Sequence, residues 1–193
     1  MFRRDLLAAA LALSVAPFAA AATEAPANAP VLEIDVAGQT QGTIRIALRP
    51  DLAPEHVQRI IDLAESGAYD GVVFHRVIEG FMAQTGDVQF GREGGDTSRA
   101  GMGGSDRPDL NAEFTPEPFE RGVMGMARSR SPNSANSQFF LMFAAAPHLD
   151  GQYTVLGQIV DGFDVLDSIK RGQGPNGAVL GQPDYMAHVR VIR

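Results

Sequence analysis

The segment FHRVIEGFMAQTGD, residues 74–87, sets one cationic side chain among apolar ones. Arg76 is followed by Phe81 and Met82, and then by the amide of Gln84. A guanidinium keeps its charge at every physiological pH, and its donors lie in a rigid plane. No second acid or base stands at a spacing typical of acid-base catalysis. The pattern therefore favours chemistry that needs a fixed positive charge and no proton transfer.

Several familiar catalytic patterns are absent from the sequence. The chain has no cysteine, which excludes thiol catalysis, and it has no G-x-S-x-G motif. The glycine-rich run GREGGDTSRAGMGGSD lacks the Lys-Ser/Thr pair of a phosphate-binding loop, so we interpret it as structural. The four histidines lie far apart and show no H-E-x-x-H spacing, so we expect no metal and no cofactor. They are His56, His75, His148 and His188.

A second group of polar and aromatic side chains stands in SQFF, residues 137–140. Gln138 and Phe140 join Arg76 and Gln84 as candidates for a site. An ordinary barrel core, in which alternate aromatic side chains point inward, accounts for the same residues. The residue types alone therefore leave a functional site and a structural core both open.

The elements that must position these residues are mostly short strands. The stretch VLEIDVAGQTQGTIRIAL alternates apolar and polar residues on both sides of a turn, which predicts two antiparallel strands. Six further apolar runs predict six more strands: GVVFHRVI, GFMAQTGD, GVMGMAR, SQFFLMF, YTVLGQIV and MAHVRVIR. Many short strands with few helices indicate a closed barrel or a sandwich.

Two helices and one long loop complete the prediction. Helical spacing of Val57, Ile60, Ile61 and Ala64 predicts an amphipathic helix that begins near Pro54. A second short helix is predicted in DGFDVLDSIKRG. Residues 91–120 contain several Gly and Pro and little periodicity, so we expect a long ordered loop, a kind usually tied to function.

Three separated blocks carry a resemblance to a known family. FHRVIEGFMAQTGD, then SQFF, then HLDGQYTVLGQI resemble, in this order, the signature blocks of the cyclophilins, which are peptidyl-prolyl cis-trans isomerases. The resemblance runs from the first strand near Val31 to the C-terminus. It implies a mainly β fold, a closed eight-stranded antiparallel β-barrel capped by two α-helices.

The resemblance also implies which residues form the site. Arg76 should be the catalytic residue, and Gln84 should bind the substrate near its turning carbonyl and orient Arg76. The backbone of Ala127 and Arg128 should pair with the substrate, and Gln138 should line a neighbouring pocket. The walls of the proline pocket should be Phe81, Met82, Phe140, Leu149 and Tyr153.

Some positions depart from the family pattern. Thr85 stands where many members have Gly, and we expect Gly86 to take the turn. Arg128 replaces a common Asn at a backbone contact, where we expect little loss. His148 stands where cyclosporin-sensitive members carry Trp, so we expect weak cyclosporin binding. Tyr153 replaces a frequent His, and its ring can still wall the pocket. His75 neighbours Arg76 on a strand and should face the opposite side, in a structural role.

The N-terminal segment MFRRDLLAAALALSVAPFAAAA has the basic start, apolar middle and small-residue end of a secretory signal peptide. We expect cleavage near Ala22, an Ala/Pro-rich linker over residues 23–30 and one isomerase domain over residues 31–193. An uncleaved anchor is the alternative. Cleavage changes the formal charge from −7 to −8, because two arginines and one aspartate leave with the leader.

These features predict an exported, periplasmic enzyme that assists protein folding. Its partners should be proline-containing polypeptides, with no nucleic acid because the surface is acidic, and with no membrane after cleavage. We expect a monomer. Two alternatives stay open: a module that binds prolyl segments without turnover, and an assembly surface.

Overall fold

The computed structural model describes residues 26–193, so the predicted signal peptide and the start of the predicted linker lie outside the described residues. Two α-helices, α1 (Pro54–Glu65) and α2 (Phe163–Ser168), and two 3₁₀ helices, Pro147–Leu149 and Pro175–Gly177, accompany the strands. The strands are β1 (Val31–Ala37), β2 (Gly42–Leu48), β3 (Val72–Val73), β4 (Arg76–Ile78), β5 (Met82–Thr85), β6 (Val123–Met126), β7 (Phe139–Met142), β8 (Val155–Asp161) and β9 (Tyr185–Ile192).

All nine strands form one curled antiparallel sheet in the order β3-β9-β1-β2-β8-β6-β7-β5-β4. The first hairpin follows the predicted alternation, because Leu32 and Ile34 pair with Ile46 and Ile44 and all four side chains are fully buried. The predicted mainly β antiparallel class is confirmed.

The strand count and the closure of the barrel differ slightly from the expectation. The predicted single strand over residues 71–78 is interrupted at Phe74 and His75, so nine strands replace eight. The Phe74 amide donates to the Asp184 carbonyl at 2.9 Å, and the His75 carbonyl accepts from the Val179 amide at 3.0 Å. These two residues therefore bond to the segment before β9. The edge strands β3 and β4 are not hydrogen-bonded to each other in the described sheet. They are connected only by the two residues between them in the sequence.

Both predicted helices are present. Helix α1 begins at Pro54, and its buried face includes the predicted Val57, Ile60, Ile61 and Ala64. Pro suits the first turn because its missing amide would have no helical partner there. The helix packs against β9 and covers one end of the main core. Within residues 26–193, no helix is both long and apolar enough to cross a membrane.

The predicted long loop over residues 91–120 contains only isolated bridges and turns. A buried carboxylate and a half-buried one hold it near its two ends. Near its start, Asp87 accepts four backbone N–H groups of residues 89–103. Near its end, the Glu113 carboxylate accepts from the amides of Glu55 and His56 at the start of α1. Each anchor satisfies amides that would otherwise lack acceptors.

His75 is a buried histidine whose ring nitrogens make no hydrogen bond to the described residues. Its side chain is only 9% exposed, and neither ring nitrogen has a hydrogen-bond partner within residues 26–193. Burial lowers the pKa of His75 to about 4, because the charged imidazolium loses its hydration, and the nearby Asp87 carboxylate opposes this only in part. The folded protein therefore holds His75 neutral.

The neutral state of His75 predicts a loss of stability in mild acid. The unfolded chain takes up this proton near pH 6.5 and the folded chain near pH 4, so stability falls as pH drops through this window. Between pH 7 and pH 5 the contribution amounts to about 2 kcal/mol. Urea unfolding at the two pH values should show a smaller drop for His75→Leu than for wild type. Equal drops in the two proteins would contradict the assignment.

Candidate active site

The two faces of the curled sheet carry two separate apolar clusters. Along β5 and β7, Ala83 and Leu141 face the main core, whereas Met82 and Phe140 face the other side. This separation follows from the period of two, which sends successive side chains to opposite faces. The second cluster forms the floor of a surface cavity of ≈ 320 Å³.

Nine of the ten predicted site residues line this cavity. Its lining consists of Arg76, Phe81, Met82, Gln84, Ala127, Arg128, Phe140, His148, Leu149 and Tyr153. The tenth predicted residue, Gln138, lies next to the cavity. His148 lines the cavity although it was not predicted as a site residue. The structure therefore brings together residues that are spread over residues 76–153 of the chain.

The floor of the cavity is apolar and rigidly packed. Met82, Phe140 and Leu149 are almost fully buried. The Phe140 ring stacks on Phe119 at a centroid distance of 5.8 Å and meets the Tyr153 ring edge-on at 5.9 Å. Such ring pairs fix the side chains that carry them. The floor therefore suits a small apolar ring and offers it no hydrogen-bond partner.

Arg76 is held at the rim from two sides. Its Nε donates to the Asn176 carbonyl at 2.9 Å, and its Nη1 donates to Gln84 Oε1 at 3.2 Å and lies 3.8 Å from Met82 Sδ. The register pairs Arg76 with Gln84, so both side chains stand on the same face. Within residues 26–193, Nη2 of Arg76 has no hydrogen-bond partner. The guanidinium is thus fixed and keeps donors free.

Burial has an electrostatic effect on Arg76. Desolvation lowers the pKa of its guanidinium, because burial disfavours the charged form. An arginine in a protein still keeps its proton at neutral pH. The cavity therefore has a permanent positive charge beside an apolar floor.

The Asn176 contact comes from a tight turn. Asn176 has φ 54°, the single positive φ at a non-glycine residue among residues 26–193. Asn tolerates this left-handed conformation better than most residues. The sequence PNG at residues 175–177 signals a turn, but nothing in it shows that the turn reaches Arg76. Sequence reasoning therefore missed this contact.

Gln138 connects the cavity to a second one. Gln84 Nε2 donates to Gln138 Oε1 at 2.9 Å, and Gln138 Nε2 donates to the Gly103 carbonyl at 2.8 Å. The second cavity measures ≈ 350 Å³ and shares Gln84, Ala127 and Arg128 with the first. Gln138 lines it, as predicted. The two cavities therefore form one continuous groove.

The backbone at Ala127 and Arg128 lies at this shared border. The Ala127 amide already donates to the Gln138 carbonyl at 2.9 Å, so the Ala127 carbonyl is the group left for a bound peptide. The Arg128 guanidinium lies 4.3 Å from the centroid of the Tyr153 ring and donates to the Gln152 carbonyl. It therefore braces the wall of the cavity.

The structure also shows where His75 and the residues that depart from the family pattern lie. His75 lines a different cavity of ≈ 260 Å³, on the other side from Arg76. Thr85 is buried and donates to the Val73 carbonyl at 2.9 Å, while Gly86 takes the positive φ of 86°, as expected. The His148 ring lies 5.7 Å from the Phe81 ring, and its effect on cyclosporin stays a prediction.

Comparison with known proteins gives one consistent family. The profile described as cyclophilin type peptidyl-prolyl cis-trans isomerase/CLD matches residues 31–191. A probable peptidyl-prolyl cis-trans isomerase of Brucella suis is 54% identical over 187 residues, which cover 95% of this chain and 93% of the relative. A peptidyl-prolyl cis-trans isomerase of Arabidopsis thaliana is 38% identical over 73% of this chain and 85% of its own length.

Solved structures agree with the family match. A cyclophilin from Hirschia baltica is 26% identical, with a TM-score of 0.67 over 82% of this chain and 72% of that one. A Cryptosporidium parvum cyclophilin has the same fold, with a TM-score of 0.71 at 24% identity over 86% of this chain and 98% of that one. The profile match and the identity to full-length relatives decide the assignment: the chain belongs to the cyclophilin family and is a peptidyl-prolyl cis-trans isomerase.

Proposed function

We propose that this isomerase accelerates X-Pro bond rotation in exported proteins, with Arg76 as the catalytic residue. The observation that carries the proposal is the placement of the Arg76 guanidinium. It is fixed at Nε and Nη1, it keeps Nη2 free, and it stands at the rim of an apolar cavity. Proline-containing polypeptides are the substrates that such a cavity suits.

Prolyl isomerisation needs no nucleophile and no metal. Rotation about the X-Pro bond breaks no covalent bond, and its barrier of ~18–20 kcal/mol comes from lost amide resonance. In the twisted state the prolyl nitrogen becomes pyramidal and regains a lone pair. A guanidinium N–H that donates to this nitrogen stabilises the twisted state more than either planar state. Catalysis then follows from differential binding of the transition state.

The magnitudes require more than the charge alone. Shortening isomerisation from about 10–100 s to milliseconds requires a barrier lowered by roughly 5–7 kcal/mol. One charge-assisted hydrogen bond contributes about 1.5–3 kcal/mol. The remainder must come from the apolar walls and the backbone contacts, which hold the proline ring while the preceding carbonyl turns.

The other lining residues have separate roles in this proposal. Gln84 donates to the turning carbonyl of the substrate through the amide hydrogen that does not bind Gln138. The carbonyl of Ala127 and the backbone of Arg128 pair with the peptide, and Gln138 contacts the residues before proline in the neighbouring cavity. The walls around the proline ring are Phe81, Met82, Phe140, Leu149 and Tyr153.

A module that binds prolyl segments without turnover is the second candidate. The apolar floor alone would serve such a module. The free donor of Arg76 speaks against it, because binding a planar prolyl bond does not require a half-buried cation at the cavity rim.

The site predicts a large effect of Arg76→Ala on turnover. Loss of about 1.5–3 kcal/mol of transition-state stabilisation corresponds to a fall of roughly 10- to 100-fold in kcat/KM. The cis-to-trans relaxation of a short Ala-Pro-Phe peptide measures it. Arg121→Ala is the matched control, because Arg121 pairs with Asp167 outside the cavity. If Arg76→Ala accelerates the relaxation as much as wild type does, the assignment of Arg76 as the catalytic residue is wrong.

Export is the second part of the proposal. The leader pattern of residues 1–22 supports an exported protein in the periplasm. There the isomerase would act on proline-limited folding of other exported chains, as a monomer.

Export predicts a shortened protein in the periplasmic fraction of a bacterium with two membranes. Its intact mass should correspond to a chain that begins near Thr23. A variant with Leu11→Arg and Leu13→Arg breaks the apolar core of the leader and should stay inside the cell at full length. A wild-type protein that keeps residues 1–22 in the membrane fraction would favour the uncleaved anchor.

A further inference from the structure

We propose that Asp87 is a positioning residue for the isomerase reaction. It fixes the Arg76 guanidinium through a chain of hydrogen bonds that passes through Gly103, Gln138 and Gln84, here called the relay. Asp87 does not line the substrate cavity and acts only through this relay. The inference rests on the proposed catalytic role of Arg76.

Every link of the relay is a hydrogen bond of ordinary length. Arg76 Nη1 donates to Gln84 Oε1 at 3.2 Å, and Gln84 Nε2 donates to Gln138 Oε1 at 2.9 Å. Gln138 Nε2 donates to the Gly103 carbonyl at 2.8 Å, and the Gly103 amide donates to Asp87 Oδ2 at 2.9 Å. Three consecutive hydrogen bonds therefore join the Arg76 cation to the Gly103 carbonyl, and the backbone of Gly103 itself connects that carbonyl to the amide that Asp87 binds.

The direction of the relay is determined by its ends. A guanidinium can only donate, so Gln84 must turn its oxygen toward Arg76. A backbone carbonyl can only accept, so Gln138 must turn its amino group toward Gly103. Both amide orientations follow from these two conditions. The donors of the three bonds from Arg76 to the Gly103 carbonyl all point the same way, so these bonds polarise and strengthen one another. The bond from the Gly103 amide to Asp87 belongs to a different peptide unit, so Asp87 acts on the relay by fixing the position of Gly103.

Asp87 sets the position of the last link. Its carboxylate is fully buried. Oδ1 accepts from the amides of Gln89 and Phe90 at 3.0 and 2.9 Å, and Oδ2 accepts from those of Gly101 and Gly103 at 2.7 and 2.9 Å. One side chain thus gathers both ends of the loop over residues 89–103. Asp87 is the side chain that binds the Gly103 amide, while Asn136 holds the chain at Ser105.

The fit between Asp87 and Gly103 is close. A Cβ placed on Gly103 would lie 2.6 Å from Asp87 Oδ1 and 2.7 Å from the Phe90 ring. A larger residue at position 103 would therefore push the loop away from the carboxylate. The Gly103 carbonyl, and with it Gln138, depends on this contact.

Asp87→Asn tests the relay with the smallest change. The amide keeps one acceptor and turns an NH₂ group toward two backbone donors, so the loop must shift. For a prolyl peptide we expect kcat to fall about tenfold with KM within about twofold of wild type, because the apolar floor is untouched. Asp184→Asn is the matched control. Asp184 is equally buried and accepts from the Thr40 and Lys170 amides, away from the relay.

A double variant separates positioning from general destabilisation. In the Arg76→Ala background, Asp87→Asn should lower kcat no further, because the group that it positions is gone. If Asp87→Asn does not fold, Gly103→Ala gives the same test with the carboxylate retained. In either variant, the NMR signals of the Gln84 side-chain amide and of the Arg76 Nε–H should shift.

The outcomes are distinguishable. A folded Asp87→Asn or Gly103→Ala protein with wild-type kcat, beside an inactive Arg76→Ala protein, overturns the relay and leaves the role of Arg76 intact. A loss of kcat that persists in full in the Arg76→Ala background also overturns it. Full activity of Arg76→Ala overturns both proposals.

Discussion

The hydrogen bonding of one half-buried guanidinium governs the arrangement of this site. A cation beside an apolar floor is costly unless its donors are satisfied, and satisfying all of them would leave none for a substrate. The structure resolves this conflict by engaging Nε and Nη1 of Arg76, while Nη2 has no partner among residues 26–193. The turn at Asn176 and the amide of Gln84 serve this arrangement. The proposed chemistry depends on it, because an X-Pro bond needs a fixed donor rather than a reactive group.

The same strands build the core and the site. In β5 and β7, residues of one face pack the interior, while Met82 and Phe140 on the other face make the cavity floor. The packed core therefore also fixes the side chains of the cavity floor, because both are carried by the same strands. A long loop completes the site, and the carboxylates of Asp87 and Glu113 hold that loop where helices or strands do not. This division explains how a groove that is open to solvent can still present fixed side chains.

Much of this was predictable from local pattern and from the resemblance. A period of two places Met82 and Gln84 on one face, and the three signature blocks indicate the lining residues. The interruption at Phe74 and His75 was not predictable, because GVVFHRVI is as apolar as a continuous strand. The partners Asn176 and Gly103 lie 100 and 35 positions from the side chains they hold. Contacts at such separations depend on the tertiary fold, which short-range periodicity does not encode.

The central claim is that Arg76 stabilises the twisted prolyl bond and not the bound planar peptide. NMR exchange on a prolyl peptide bound to wild type and to Arg76→Ala measures both quantities, the on-enzyme isomerisation rate and the dissociation constants of the cis and trans forms. We predict an on-enzyme rate at least about tenfold lower in Arg76→Ala, with both dissociation constants within about threefold of wild type. An unchanged on-enzyme rate, with the whole loss in affinity, would contradict the account.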